Sequence, residues 1–320
     1  MKHLVFIVNP VSGIGRQQKI ERVVEKALDK ELYTYEIRYT ERAHHGKEIA
    51  RQLAEAHACD AIVAVGGDGS VNDITNGLQG YDTTLGIIPC GSGNGLARDL
   101  KIPLDPTQAV RLINSYHTQP IDTVLLNDQL FASIAGIGFD ALVARKMKLA
   151  KKRGLSAYVN IVLNDYPTSK ESVFRMCIDG KEVERKAWFV SFANSSQFGY
   201  NTAIAPLARL DDGLLDICVV SKIPLAHLPL TAPLIYLNRF EMSQHVEIIK
   251  AKEVKVLNNT YHWANVDGEA LRVGEELRMR VLPQSLHVIA PEPKASLLEH
   301  IESKLEDIAR KIEDGRYFRG

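Results

Sequence analysis

Short apolar runs alternate with longer amphipathic stretches over the first third of the chain. The runs "LVFIV" (4–8), "YEIRY" (35–39), "AIVAV" (61–65) and "TLGIIP" (84–89) read as strands. Between them, residues 16–31, Lys47 to His57 and Ser70 to Leu78 read as helices; the second places Ile49, Leu53 and Ala56 on one face. A further helix opens within "GSGNGLARDL" (91–100). This rhythm is what a parallel sheet covered by helices requires. Three of the strands exit into turns rich in small residues, at 9–13, 66–69 and 91–95. In an open parallel sheet such exits face one crevice, where ligands bind.

The pattern changes after about Ile121. "TVLLND" and "LFASIAG" look like a hairpin, and so does "VFRMCIDGKEVERKAWFVSFA", turning at Asp179–Gly180. "LLDICVV", "VEIIKAKEVKVL", "HWANVDGEAL" and "LRMRVLP" continue in that style. A second, mostly antiparallel domain is expected, interrupted by helix-like pieces at 139–165 and 222–240. The division is residues 1–120 for an α/β domain, completed by the C-terminal segment 287–320, and 121–286 for a β-rich domain. The strand "LHVIA" (286–290) crosses back to the first. Near the end, Leu298, Ile301, Leu305, Ile308 and Ile312 recur at three- and four-residue spacing, an amphipathic helix packed on the body.

The 320 residues allow two domains with cores of their own. Lys plus Arg equals Asp plus Glu, so the formal net charge is zero, which argues against a general nucleic-acid binder. The four cysteines (Cys59, Cys90, Cys177, Cys218) form no close pairs, so neither a zinc site nor a disulfide framework is expected. "MKHLVFIVNP" is too short an apolar run for a signal peptide, and no stretch reaches the roughly 20 apolar residues of a membrane-spanning helix. A cytoplasmic protein is expected.

The glycine turns carry the candidate chemistry. "NPVSG" (9–13) at a helix start suits a phosphate, and equally suits an ordinary strand-to-helix turn. In "GGDGS" (66–70) the glycines permit close backbone approach, but Asp68 would repel a phosphate unless a metal or a proton transfer is involved. Asn72 and Asp73 follow in the helix's first turn, where a carboxylate is favourable anyway. "PCGSGNGLAR" (89–98) has the same character. None of these is a Walker loop or a dinucleotide fingerprint. "VDGEA" sets Asp267 and Glu269 on either side of Gly268, which is either a catalytic acidic pair or a solvated hairpin turn. "LDDGLLD" supplies Asp211, Asp212 and Asp216 in another glycine turn.

Taken together, "NPVSG", "GGDGS" and "PCGSGNGLAR", followed by "AGIGFDA" (135–141), "LARLDDGLLDI" (207–217) and "NVDGEAL" (265–271), resemble the catalytic domain shared by diacylglycerol kinases, sphingosine kinases and bacterial soluble lipid kinases. The likeness runs in order from about residue 3 to 290; Ser70 stands where threonine is commoner. It implies an N-terminal Rossmann-like three-layer α/β domain with a parallel sheet and a C-terminal, mainly antiparallel β-sandwich, as in NAD kinase and diacylglycerol kinase. It also implies ATP-dependent, Mg²⁺-dependent phosphorylation of a lipid hydroxyl, diacylglycerol first and a sphingoid base or another lipid as the alternative, with an NAD kinase or a non-catalytic lipid-binding protein as the remoter readings. Asn9, Ser12, Gly13, Gly67, Gly69 and Ser70 would meet the phosphates, and Gly91, Ser92, Gly93 and Asn94 would shape the nucleotide pocket. Asp68, Asp267 and Glu269 are the implied catalytic carboxylates: Asp68 near Mg²⁺ or the acceptor hydroxyl, Glu269 as base. Asp212 and Leu214 match a structural Mg²⁺ site in bacterial relatives. Asp122 matches a head-group contact, or is a strand-edge charge.

A membrane lipid substrate requires access to a bilayer. "RKMKLAKKR" (145–153), with six basic residues, suits an anionic surface or a solvated helix face. "IPLAHLPLTAPLIYL" (223–237) lines an acyl channel or packs between elements, and His227 within it is structural. No nucleic-acid partner is expected, and a homodimer is compatible with the sequence.

Overall fold

The computed structural model describes residues 1–11, 19–150, 154–199 and 202–292. Met1–Ala290 forms one compact unit, and Pro291–Gly320 falls outside it. The expected C-terminal amphipathic helix, Ser12, Gly13 and the basic residues Lys151, Lys152 and Arg153 lie outside the described residues.

The first half is built from β1 (Lys2–Val8), α1 (Ile20–Ala27), β2 (Tyr33–Tyr39), α2 (His45–Glu55), β3 (Ala61–Gly66), α3 (Asp68–Gly77), β4 (Thr84–Pro89), α4 (Gly95–Asp99) and α5 (Pro106–Ser115). β3 and β4 are buried along their whole length, as unbroken apolar runs covered on both faces must be. The four strands stand in the order β2-β1-β3-β4, all parallel. Their core includes Phe6, Ile62, Ile74, Leu85 and Ile88. α5 begins at Pro106 behind Asp105, whose carboxylate accepts from the Gln108 N–H, an ordinary proline-led helix start.

The chain then enters β5 (Thr118–Leu126), β6 (Gln129–Phe131), β7 (Ile134–Gly138), α6 (Phe139–Leu149), α7 (Leu155–Asp165), β8 (Ser172–Ile178), β9 (Lys181–Ala187), β10 (Phe189–Ala193), β11 (Gln197–Gly199), β12 (Thr202–Ala203) and β13 (Leu215–Val220). After α8 (Leu228–Tyr236) come β14 (Val246–Ala251), β15 (Glu253–Val256), β16 (Trp263–Val266), β17 (Glu269–Arg272) and the long β18 (Leu277–Ile289). β7, β10, β13, β14, β16 and β17 form a six-stranded antiparallel sheet. It packs on β5, β6, β8, β15 and β18 through Phe131, Phe174, Phe192, Ile217 and Met279, which makes a β-sandwich.

The large sheet is mixed, where a parallel one was expected. β18 lies parallel to β4 at Val288 beside Leu85, antiparallel to β5 from Met279 to Ile289, and antiparallel to β15 over Leu277 to Arg280. One 13-residue strand therefore belongs to the α/β layer at its end and to the sandwich at its start. Two apparent single strands also divide. "LFASIAG" splits into β6 and β7, and "VEIIKAKEVKVL" into β14 and β15, each pair spanning two sheets. The turn at Asp179–Gly180 forms where expected, with both residues at positive φ (44° and 82°).

Candidate active site

The site begins where β3 and β4 end. Gly67 and Gly91 meet backbone to backbone: a β-carbon on Gly91 would lie 2.5 Å from the Gly67 Cα, and one on Gly67 3.2 Å from the Gly91 Cα. A side chain at Gly91 would force the two backbones apart, and one at Gly67 would be tight against Gly91. Asp68, the first residue of α3, then reaches across this contact. Its carboxylate accepts from the backbone N–H of Asn94 at 2.8 Å and of Gly95 at 2.6 Å, and so holds the start of α4. Gly93 must also be small, because a β-carbon there would stand 2.7 Å from the Asp68 carboxylate. Burial pushes the Asp68 carboxyl up from its ordinary range, against the opposing pull of those two N–H groups and of Arg98. Asn94 sits at φ 54°, donates its side-chain amide to the Gly91 carbonyl and keeps its buried Oδ1 without a partner. Arg98 closes the turn by donating to the Gly93 carbonyl.

The first turn joins the same group. The backbone N–H of Asn9 donates to the Val65 carbonyl, and its side-chain amide lies 3.3 Å from the Ser70 hydroxyl. Asn9, Gly67, Gly69, Ser70, Gly91, Gly93 and Asn94 are thus gathered at the exits of three strands, β1, β3 and β4.

The acidic turn arrives from the six-stranded sheet. β16 and β17 form a hairpin whose turn residues, Asp267 and Gly268, have positive φ (46° and 87°). Asp267 is a fastener. Its carboxylate accepts from the N–H groups of Ala132, Ser133 and Ile134 and from the Asn72 side chain at 2.9 Å. Burial raises its pKa to about 6 despite these donors. Glu269 is placed differently. A β-carbon on Gly69 would collide with its carboxylate, whose Cδ would stand only 3.2 Å away. The residue is exposed, and among the described residues its carboxylate has no hydrogen-bond or ion-pair partner.

Three contributors carried no role in the sequence reading. Asn72 ties α3 to Asp267 and to the Leu130 carbonyl. Asp140, in "GIGFDA", is buried against Gly136 and accepts from Asn265, which in turn accepts from the Gly268 N–H. Desolvation raises the Asp140 pKa to about 6. Asp99, at the end of α4, accepts from the N–H and the hydroxyl of Ser196. Only the polar residue types in otherwise apolar stretches hinted at these ties.

The remaining expected residues lie apart. Asp122 has no exposed surface; its two oxygens accept from Gly213 N–H and Gln284 N–H, each at 2.7 Å. Asp212 accepts from its own loop at Leu214 N–H, and its other oxygen is 3.0 Å from the Lys250 ammonium. Lys250 also pairs with the largely buried Asp216 at 3.4 Å, directly opposite on β14. A lysine thus stands where the implied structural Mg²⁺ would need Asp212, and a dication beside an ammonium is strongly repelled. Among the described residues no group of three or more His, Cys, Asp or Glu side chains could hold a metal. The donor set at this loop does not fit a divalent cation. Of the basic run, Lys146 pairs with Asp165 at 2.6 Å and Arg145 lies over the Trp263 ring.

With this geometry in view, comparison with known proteins is decisive. The diacylglycerol kinase catalytic domain matches residues 3–126, and the YegS C-terminal NAD kinase beta sandwich-like domain matches 133–290. The chain belongs to the bacterial diacylglycerol kinase and YegS-like lipid kinase family. It is 29% identical to a diacylglycerol kinase of Bacillus subtilis over 93% of this chain and all of that protein. It is 30% identical to a diacylglycerol kinase of Staphylococcus epidermidis, covering 92% and 93% of the two chains. A crystal structure of a diacylglycerol kinase from Bacillus anthracis superposes with a TM-score of 0.75 at 25% identity, over 91% of this chain and 98% of that one. The two family matches account for the α/β layer and the sandwich in turn.

Proposed function

We propose that this lipid kinase transfers the γ-phosphoryl group of ATP to the hydroxyl of diacylglycerol, giving phosphatidic acid. The observation that carries this reading is the carboxylate of Glu269 seated on Gly69, beside Asp68 and the gathered glycine turns. An exposed carboxylate with no partner among the described residues is suited to take a proton, and the turns next to it are suited to phosphate oxygens. Glu269 accepts the hydroxyl proton as the lipid oxygen bonds to phosphorus; the bond from phosphorus to the ADP oxygen breaks. Gly67, Gly69, Ser70 and Asn9, with Ser12 and Gly13 of the same first turn, hold the phosphates, and the turn from Gly91 through Ser92 and Gly93 to Asn94 walls the nucleotide. Mg²⁺, when bound with ATP, neutralises charge on the phosphates.

Asp68 and Asp267 are assigned positioning roles, since the oxygens of both already accept hydrogen bonds from the loops they join. Asp122 is likewise assigned to hold the Gly213 loop and not a head group, because no surface of it is open. Diacylglycerol is favoured over a sphingoid base on this ground: the carboxylate expected to meet an amino head group is buried and engaged.

The test is one panel. Purified protein with Mg²⁺ and labelled ATP is offered diacylglycerol, sphingoid base, phosphatidylglycerol and undecaprenol in mixed micelles. Label in phosphatidic acid, abolished by Glu269→Gln, supports the reading. Label in another lipid reassigns the substrate, and undiminished turnover by Glu269→Gln removes that residue as base.

A further inference from the structure

Among the described side chains from Pro224 to Leu237, apolar residues face outward. Ala226, Pro229, Leu230, Pro233 and Leu237 recur at helical spacing and all are exposed, Leu230 at 76% and Leu237 at 64%. Thr231, a polar residue between them, is turned inward at 4% exposure and donates to the His227 carbonyl. A helix on a soluble surface ordinarily does the reverse. No Asp, Glu, Lys or Arg occurs between Ile223 and Asn238. The apolar face is also extended at both ends, by Leu225 (71% exposed) before α8 and Met242 (69%) after it. An exposed patch of this kind marks an interaction site.

We propose that this face of α8 seats the protein on the surface of a lipid bilayer. Charge at the rim selects that occupant. Lys222 precedes the segment and Arg239 follows it; of the acids beside them, Glu241 is largely covered and paired with Arg239, and Glu171 accepts from the Lys222 N–H and faces the Lys186 ammonium at 3.7 Å. An uncharged apolar face bounded by cations complements acyl chains below anionic head groups. The face also continues onto a neighbouring helix. Tyr166, following α7, donates to the Ile223 carbonyl, and Lys222 donates to the Ser169 carbonyl, so the start of the segment is fastened to the end of α7. There Val159 and Leu163 expose a second apolar pair one helical turn apart. The inference rests on the lipid-kinase reading for its choice of partner, but its test needs no turnover.

The full chain is sedimented with phosphatidylcholine vesicles and with vesicles of phosphatidylcholine and phosphatidylglycerol. The wild type should partition to both, more strongly to the anionic ones. Leu230→Glu with Leu237→Glu should lower partition by about tenfold or more, as losing two leucines from an apolar phase requires. Leu230→Trp should add a blue-shifted emission component on vesicle addition. Both residues are exposed, so the thermal midpoint should stay at the wild-type value. Unchanged partition in the double variant, or no emission shift, overturns the proposal. So does light scattering that shows a wild-type dimer broken by the double variant, which would give the face to a second copy. Failure of the lipid panel with intact vesicle binding would sink the substrate assignment and leave this one standing.

Discussion

The Cδ of Glu269 lies 3.2 Å from the point where a β-carbon on Gly69 would project. Two residues 200 positions apart, one on a hairpin of the sandwich and one in the first turn of α3, thus exclude a methyl group between them. Gly69→Ala should push the carboxylate away from the glycine turns. We expect turnover to fall by about 100-fold, in keeping with a reacting group displaced by an ångström. The thermal midpoint should hardly move, because Glu269 is exposed and its side chain swings outward. Parallel kinetics and melting of Gly69→Ala and Glu269→Gln check this; near-normal turnover in either removes Glu269 from the chemistry.

Asp68 is expected to behave differently. Because its carboxylate satisfies the N–H groups of Asn94 and Gly95, Asp68→Ala should cost stability as well as turnover, on the order of 1–3 kcal/mol for the unsatisfied donors. Asp68→Asn, which keeps one acceptor oxygen, should fall between. Denaturant titration with and without ATP separates the effects. Full stability in a folded Asp68→Ala variant that has lost turnover would show that the carboxylate acts on substrate and not on the loop.

Asp140 gives a pH signature. Its pKa is raised from 3.8 to about 6 on folding, so the stability it contributes is fully present below pH 3.8 and is lost as pH rises through about 6. Asp140→Asn stays neutral throughout. The midpoint of the variant relative to wild type should therefore climb between pH 4 and pH 7, by an amount corresponding to at most about 3 kcal/mol. A difference that is flat with pH would mean that the carboxyl is not perturbed.

The Lys250 ammonium already serves the carboxylates of Asp212 and Asp216. Without nucleotide, Mg²⁺ or a chelator should leave the wild-type melting midpoint unchanged. Lys250→Met should lower it, by about 1–2 kcal/mol for a half-exposed cluster, and Mg²⁺ should restore part of the loss. A wild-type midpoint that rises with Mg²⁺ and ceases to do so in Asp212→Asn would establish a divalent site there.

Much of this molecule was legible along the chain because its determinants are local. Unbroken apolar runs such as Ala61–Val65 specify buried parallel strands, and the glycine turns specify where backbones must touch. The sequence alone also placed the hairpin turn at Asp179–Gly180, since Asp and Gly readily accept its left-handed backbone, whereas Asp267–Gly268 stood open between a turn and a catalytic pair. What it could not decide was which side chains close on one another across long separations. That Asp68 and Asp267 spend their oxygens on backbone N–H groups, while Glu269 keeps its own, depends on the packing of α3 against the hairpin. A carboxylate's sequence neighbours do not reveal how many donors the fold will bring to it. The same holds for Asp122, which read as a head-group contact or a strand-edge charge until the Gly213 and Gln284 amides enclosed it. It holds for β18, whose alternating pattern is that of any half-buried strand, but whose partners on both sides were settled only when β4, β5 and β15 packed around it.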